Sequence, residues 1–228
     1  MKRASFAGVS CLRDLNAGHL AWLGLQNAFA GTLEFNGTVA WWQRTIDLQP
    51  QGPFEDRARL QQTNDVLDEY GTEMPYYERW ERQNLSMSPC WGLRLARKVD
   101  GRCGFLVRAG DKMMFARGRT SPLAPGGTLT EALDTAATLE EKQNLLDFEV
   151  SLGRVAADDR EWMIERSTLP FKAGRSWSIR RLGAAKDAGS RVIEVDDIDS
   201  KGRRIVGTWR VIDADIADVA AEFDDRIP

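Results

Sequence analysis

The sequence has few residues of the types that build disulfide frameworks, zinc sites and histidine-based catalysis. Its 228 residues include three cysteines and one histidine. Cys11, Cys90 and Cys103 are isolated and form no Cys-x-x-Cys pair, so we expect neither a disulfide framework nor a zinc site, and a reducing cytoplasm fits them. His19 has no carboxylate or cysteine partner nearby, which predicts a helix-surface residue and argues against serine or cysteine hydrolases. We assign no catalytic residue, metal or cofactor.

An excess of positive charge and a long apolar run are also missing. The formal net charge is −3, whereas proteins that bind nucleic acid usually present a basic face, so we expect no nucleic-acid partner. No run approaches the ~18 apolar residues of a membrane-spanning helix. Met1-Lys2-Arg3 precedes an apolar run of about seven residues, which is too short for a secretion signal. We therefore predict a cytoplasmic protein with no membrane partner.

The pattern that is present is a long series of β-strands after one short helix. Asn16 is a good N-cap for a helix that ends before residue 28, and after Gly31 the apolar period changes from 3.6 to 2. Asn36-Gly37 between two such runs is a strong hairpin signal, because both residues tolerate positive φ. The strands predicted up to residue 117 are Thr32–Phe35, Thr38–Gln49, Asp56–Gln62, Val66–Tyr70, Tyr76–Gln83, and three more around Trp91–Leu95, Cys103–Val107 and Met113–Arg117.

These runs number about eight, the count at which an up-and-down sheet can close into a barrel. A Pro- and Gly-rich segment, Thr120–Gly127, then predicts a linker. Two capping boxes predict a helix over 129–146, broken near Thr138. Five further strands follow: Phe148–Val155, Glu161–Ser167, Ser176–Leu182, Arg191–Val195 and Arg204–Ile212. The predicted fold is mainly β, with an antiparallel lipocalin-like barrel over 1–120, a second antiparallel lobe over 121–228 and a few short helices.

The interior of this first barrel is the predicted binding site. Strand alternation places Trp42, Arg44, Tyr76, Glu78 and Trp80 on the inward side. A buried charged pair needs compensation, so Arg44 could anchor an anionic or carbonyl group of a small, largely apolar ligand stacked on the aromatic rings. The alternative is an Arg44–Glu78 ion pair that plugs a filled barrel in a protein-interaction or scaffold module.

Other features receive simpler interpretations. Asp47 and Glu81 fall on the opposite strand faces from Arg44 and Glu78, which argues against a catalytic carboxylate pair. Glu149, Ser151 and Arg166 predict a polar patch at a surface or between the lobes. The Ser200–Arg204 basic cluster predicts a solvated loop, with phosphate binding as the alternative. Exposed aromatic residues, Trp41 and Tyr77, indicate a protein partner or a homo-oligomer.

Several segments together resemble bacterial relatives of the fungal Hrr-interacting family, whose members have two lipocalin-like, calycin-type barrel lobes and no established enzymatic activity. The resemblance covers residues 5–172 and implies this two-lobed fold while leaving the function open. Family members usually carry an extra upstream strand, so we expect one strand of the first barrel to be missing or replaced. The matching segments are Phe29–Gly31, Trp42–Asp47, Pro75–Trp80, Gly110–Arg117 and Phe148–Gly153.

Overall fold

The first half of the chain forms a five-stranded antiparallel sheet, which we call sheet A. The structure is a computed structural model and describes residues 5–82, 88–156, 161–184 and 191–215. A 3-10 turn (Leu12–Asp14) and helix α1 (Ala17–Gly24) precede the sheet, whose strands follow chain order. These strands are β1 (Phe29–Phe35), β2 (Val39–Asp47), β3 (Arg57–Thr63), β4 (Val66–Gly71) and β5 (Tyr77–Glu81).

The hairpin predicted at Asn36-Gly37 joins β1 to β2. The side-chain oxygen of Asn36 accepts hydrogen bonds from the backbone N–H groups of Thr38 and Val39 at 3.1 and 2.9 Å. Gly37 has φ of +94°, which a residue with a side chain rarely adopts. The turn chemistry read from the sequence is therefore confirmed, and it sets the β1–β2 register.

The second unit is a closed eight-stranded antiparallel barrel in the order β10-β11-β12-β13-β6-β7-β8-β9. Helices α2 (Leu129–Thr135) and α3 (Leu139–Leu146) lie between β8 and β9. Each begins with a threonine capping box, and the chain breaks between them near Thr138, as predicted. The barrel strands are β6 (Cys90–Arg97), β7 (Cys103–Ala109), β8 (Lys112–Arg117), β9 (Glu149–Val155), β10 (Trp162–Ser167), β11 (Ser176–Ala184), β12 (Arg191–Ile198) and β13 (Arg204–Asp215).

The predicted class, mainly antiparallel β with a barrel, a second β unit and a few short helices, is confirmed, but the barrel lies elsewhere in the chain than predicted. The first eight strands do not close on one another, because β6 pairs with β7 and β13 and leaves β5 paired with β4. Strands β6–β8 therefore join β9–β13 in one barrel, across the boundary that we predicted after residue 120. Period-two patterning identifies strands and their faces, whereas the partner of a distant strand depends on which apolar faces fit together.

Two apolar cores hold the molecule together. The barrel interior is filled by large side chains, among them Trp91, Trp162, Trp177, Trp209 and Phe115. A second core lies between the helices, the base of sheet A and the outer wall of the barrel. Arg119 links these parts, since its guanidinium donates to the carbonyls of Asp47 and Leu48 at 2.9 and 2.6 Å. Burial lowers the pKa of Arg119 to about 10.

His19 does not lie on the helix surface, so that prediction is wrong. Its ring is buried and stacks on Phe6, with 4.8 Å between the ring centroids, and its Nε2 lies 2.8 Å from the carbonyl oxygen of Ser5. The preceding segment folds back over α1, which its sequence pattern does not reveal.

Cys11, Cys90 and Cys103 are free thiols. Within the described ranges, no helix combines the length and apolarity needed to cross a membrane.

Candidate functional site

The five predicted site residues share one face of sheet A, which we call the aromatic face. Ala40 of β2 pairs with Ala58 of β3, and Leu60 of β3 pairs with Glu69 of β4, which in turn pairs with Glu78 of β5. Because side chains alternate along a strand, the residues on the aromatic face include the predicted set. That set is Trp42, Arg44, Tyr76, Glu78 and Trp80. The face belongs to an open sheet and not to a barrel interior.

Glu69 is the centre of the aromatic face and was missed by the sequence analysis. Its carboxylate accepts hydrogen bonds from the Tyr76 hydroxyl at 2.8 Å and the Trp80 indole at 3.0 Å, and lies 3.5 Å from the Trp42 indole nitrogen. The residue is 3% exposed. Alternation along β4 would have placed it on this face, but the sequence does not show that three aromatic donors converge on it.

Arg44 is bound by carboxylates other than the one predicted. Its Nε and Nη2 donate to Asp56 at 3.0 and 2.6 Å, and its Nη1 donates to Asp47 at 3.2 Å. The guanidinium also lies over the ring of Phe29, 3.8 Å from the centroid. Asp56 in turn accepts from the Tyr76 hydroxyl at 3.1 Å, so the Arg44 and Glu69 clusters form one network.

The predicted Arg44–Glu78 ion pair is absent from the residues that the structure describes. Glu78 is exposed and lies directly across the strand pair from Glu69. Two carboxylates opposite each other repel, and Glu69 already occupies the position among the aromatic donors. Glu78 therefore belongs to the solvated rim of the aromatic face and not to the site. Trp80 joins the network through its N–H while half of its surface stays exposed.

A cleft of about 430 Å³ opens beside this network; we call it the sheet A cleft. Strand β2 pairs with β3 only over Val39–Trp41 and then runs on to Asp47. The cleft lies between this unpaired side of β2 and the loop of residues 48–56, which leads back to β3. The Gln51 side chain braces this loop by donating to the Arg44 carbonyl at 2.7 Å. Trp42, Arg44 and Tyr76 line the cleft, together with Trp41, Phe54, Met74, Asp47, Glu55 and Asp56.

Negative charge dominates the sheet A cleft. Among the described residues that line the cleft, Arg44 is the single basic one, against the three carboxylates of Asp47, Glu55 and Asp56. Burial disfavours the Arg44 charge, but the hydrogen bond and the charge of Asp56 outweigh it, so the pKa of Arg44 is raised. Burial together with Glu69 and Asp56 strongly raises the pKa of Tyr76, which keeps its hydroxyl a donor.

A second polar cluster lies at the base of the barrel around Glu149. Glu149 and Ser151 are in contact as predicted, with the serine Oγ 2.7 Å from the carboxylate, but Arg166 is exposed. The basic partners are instead Lys172, at 2.5 Å, and Arg117, at 3.4 Å. Glu149 and Lys172 are fully buried, so the cluster is internal rather than a surface patch. Lys172 lies in a 3-10 turn (Pro170–Lys172), and no local pattern predicts its burial.

Comparisons of the chain with known proteins give no match. No family model matches the chain. No curated protein and no solved structure matches it. The resemblance to relatives of the Hrr-interacting family stays a prediction, and a function for the chain rests on its own geometry. In the described part of the chain, no cluster of three or more histidine, cysteine or acidic residues could hold a metal ion.

Proposed function

We propose that the protein is a binding module for a small, largely apolar ligand that enters the sheet A cleft. The observation that carries the proposal is an aromatic wall next to a fixed group of carboxylates. Trp42 and Tyr76 offer flat apolar surface, and Asp47 and Asp56 offer acceptors held in place by Arg44. A pocket of a few hundred Å³ with a few convergent polar groups is typical of small-molecule sites.

The charge balance of the cleft favours a neutral or basic polar group on this ligand over the anionic one considered from the sequence. The Arg44 guanidinium already donates to two carboxylates, so an incoming anion would meet their negative charge at short range. An amine or amidine could instead donate hydrogen bonds to Asp47 and Asp56 without displacing Arg44. The barrel interior is a weaker candidate, because large apolar side chains fill it.

The proposal is tested with three phenyl compounds of matched size: phenethylamine, 2-phenylethanol and 3-phenylpropionate, which are cationic, neutral and anionic at pH 7. Binding is followed by NMR through the indole N–H resonance of Trp42. We expect phenethylamine to bind about tenfold more tightly than 3-phenylpropionate, because it gains a charge-assisted hydrogen bond. Equal or tighter binding of 3-phenylpropionate would contradict the proposed charge preference, and no shift with any of the three compounds would contradict the site.

Two variants separate a specific carboxylate from general charge. Asp56→Asn removes the negative charge of the side chain to which Arg44 and Tyr76 donate and replaces one of its two acceptor oxygens by an NH₂ group. We expect it to weaken phenethylamine binding about tenfold and to improve 3-phenylpropionate binding. Glu55→Gln removes the same charge from an exposed residue of the same cleft that is ion-paired with Arg57. Its effect should stay below about twofold, as for other exposed ion pairs. Equal effects of the two variants would refute the assignment of Asp56.

Protein interaction is the second candidate function, favoured by the edges of sheet A. Strands β1 and β5 are the outer strands of the open sheet, and Leu33, Phe35 and Trp80 are about half exposed on its aromatic face. Exposed edges with apolar side chains can pair with another chain. Light scattering during gel filtration checks this use: a dimer that Leu33→Lys converts to a monomer would support it, and a monomer at all concentrations would exclude self-association.

A further inference from the structure

A second cleft lies at one end of the barrel, and we call it the barrel-end cleft. Its volume is about 180 Å³. The hairpin between β12 and β13 forms one side, and the ends of β6 and β8 form the other. Five basic side chains line it: Arg97, Arg102, Arg117, Lys201 and Arg203. The Ser200–Arg204 cluster, which the sequence predicts as a solvated loop, therefore faces three further arginines.

The charge of the barrel-end cleft is positive. Among the described lining residues, the acidic ones are Asp147, Asp197 and Asp199, so basic lining groups exceed acidic ones by two. The adjoining residues Asp100, Glu149 and Lys172, which pair with this set, reduce the excess to one. Each of the three lining carboxylates is already bound: Asp147 by Arg102 and Arg117, Asp197 by Lys172, and Asp199 by Arg203, at distances between 2.5 and 2.8 Å. The Lys201 ammonium is exposed and forms no ion pair with another described residue.

A buried donor without a partner also lines this cleft. Trp209 is 1% exposed, and its indole N–H finds no acceptor among the residues that the structure describes. Two glycines pack against opposite edges of the indole ring and show how it is oriented. A Cβ at Gly104 would lie 2.8 Å from the benzene edge of the ring, whereas a Cβ at Gly207, which itself lines the cleft, would lie 3.1 Å from Nε1. The N–H edge of the ring therefore lies next to Gly207, a cleft-lining residue, and the benzene edge lies next to Gly104.

We propose that the barrel-end cleft binds a small oxyanion, a phosphate or a carboxylate, whose oxygen accepts the Trp209 N–H. A buried N–H without an acceptor costs free energy that a bound oxygen would recover. Lys201 supplies charge at the mouth, and the volume suits a group the size of phosphate or a short carboxylic acid. This site shares no lining residue with the sheet A cleft, whose charge is negative, and it does not rest on the function proposed for that cleft.

The test is an NMR titration of the full chain with inorganic phosphate and, separately, with acetate, against sodium chloride at equal ionic strength. The reporter is the indole N–H resonance of Trp209. The internal control is Trp177, whose indole N–H is also buried and unpaired but which does not line the cleft. We expect a saturable shift of the Trp209 resonance with phosphate, acetate or both, and a much smaller shift of the Trp177 resonance. The two titrations show which oxyanion class is preferred.

Charge variants test the mouth of the cleft without touching the core. Lys201→Ala should weaken anion binding about threefold, as expected for one partly screened charge. Lys142→Ala removes the same charge from helix α3, outside the cleft, and should leave binding unchanged. The proposal is overturned if the Trp209 resonance responds only as it does to sodium chloride, which would mean that water alone satisfies the indole. It is also overturned if the two lysine variants behave alike.

Discussion

At the scale of single residues, the aromatic face depends on one buried carboxylate that accepts hydrogen bonds from three aromatic side chains, two on strands and one just before a strand. Trp42 lies on β2, Trp80 lies on β5, and Tyr76 immediately precedes β5, while Glu69 lies on β4 between them. A buried carboxylate is tolerated only when hydrogen bonds satisfy it. We infer that Glu69 positions the indole and phenol rings that form the wall of the sheet A cleft.

Glu69→Gln tests this role. We expect it to lower the free energy of unfolding by about 1–3 kcal/mol, because the amide leaves at least one aromatic donor without an acceptor. Glu78→Gln is the matched control: it makes the same chemical change at the exposed residue directly across the strand pair. That variant should be neutral or slightly stabilising, since it removes a like charge opposite Glu69. Urea unfolding of both variants gives the comparison, and equal losses would refute the central position of Glu69.

The pH dependence of stability provides a second test at this scale. The pKa of Tyr76 lies above its ordinary value near 10, chiefly through burial. A group whose pKa is raised by folding contributes stability that is complete below its unfolded pKa and is lost as the pH rises above it. We therefore expect the free energy of unfolding to fall between pH 10 and 11, and to fall less steeply in Tyr76→Phe. Parallel pH profiles for the two proteins would contradict the assignment.

For the residues of the site, the sequence correctly predicted that they share one sheet face, but it missed their hydrogen-bond and ion-pair partners. Trp42, Arg44 and Tyr76 do line one cleft, because period-two alternation within each strand is a local property. The partner predicted for Arg44 was wrong, because the choice among Glu78, Asp47 and Asp56 depends on strand register and on the path of the loop after β2. Asp56 was predicted as the first residue of a strand, but it lies just before β3, at the end of a Pro- and Gly-containing loop, so alternation does not fix the direction of its side chain.

At the scale of secondary-structure elements, irregular positions shape the site as much as regular strands do. The β1–β2 register shifts between Ala30 and Gly31, where the strands approach closely. A Cβ at Gly31 would lie 1.9 Å from the carbonyl oxygen of Gln43. The shift lies beside Arg44, which pairs with Gly31 across the strands, so this bulge helps to aim the guanidinium at Asp47 and Asp56.

Gly31→Ala should therefore lower the free energy of unfolding by about 2 kcal/mol or more, because backbone must move to accept the methyl group. Gly92→Ala is the control, since that glycine also lies inside a strand but its Cβ would meet only a Val107 methyl group at 3.9 Å. It should change stability by less than about 1 kcal/mol. Thermal unfolding of the two variants checks the prediction, and a mild effect of Gly31→Ala would contradict the close approach.

The strands and helices themselves were predicted well, because hairpin turns, capping boxes and alternation are local signals. Asn36-Gly37 and the two threonine capping boxes are confirmed at the predicted positions. The pairing of β6 with β13 was not foreseen, since it joins segments more than a hundred residues apart. Such a contact depends on complementary apolar faces, for example Leu95 opposite Val211, which no local pattern specifies.

At the scale of the whole molecule, the two β units differ in how their apolar surface is used. The barrel has no free edge and buries four tryptophans in its interior. Sheet A stays open and presents aromatic residues beside a cleft of about 430 Å³. A closed barrel is suited to be a rigid support, because it has no edge strands. An open sheet with a loop at its side is suited to binding, because loops on a rigid scaffold often carry binding residues. This division of labour underlies the proposed function.

The most direct test of that function is native mass spectrometry of the protein taken straight from cells. We predict a small neutral or basic molecule bound to the natural protein and to Glu55→Gln, and its loss from Asp56→Asn, because only Asp56 is shared by Arg44 and Tyr76 at the cleft. An adduct that survives equally in Asp56→Asn, or the absence of any adduct from all three proteins, would contradict the account.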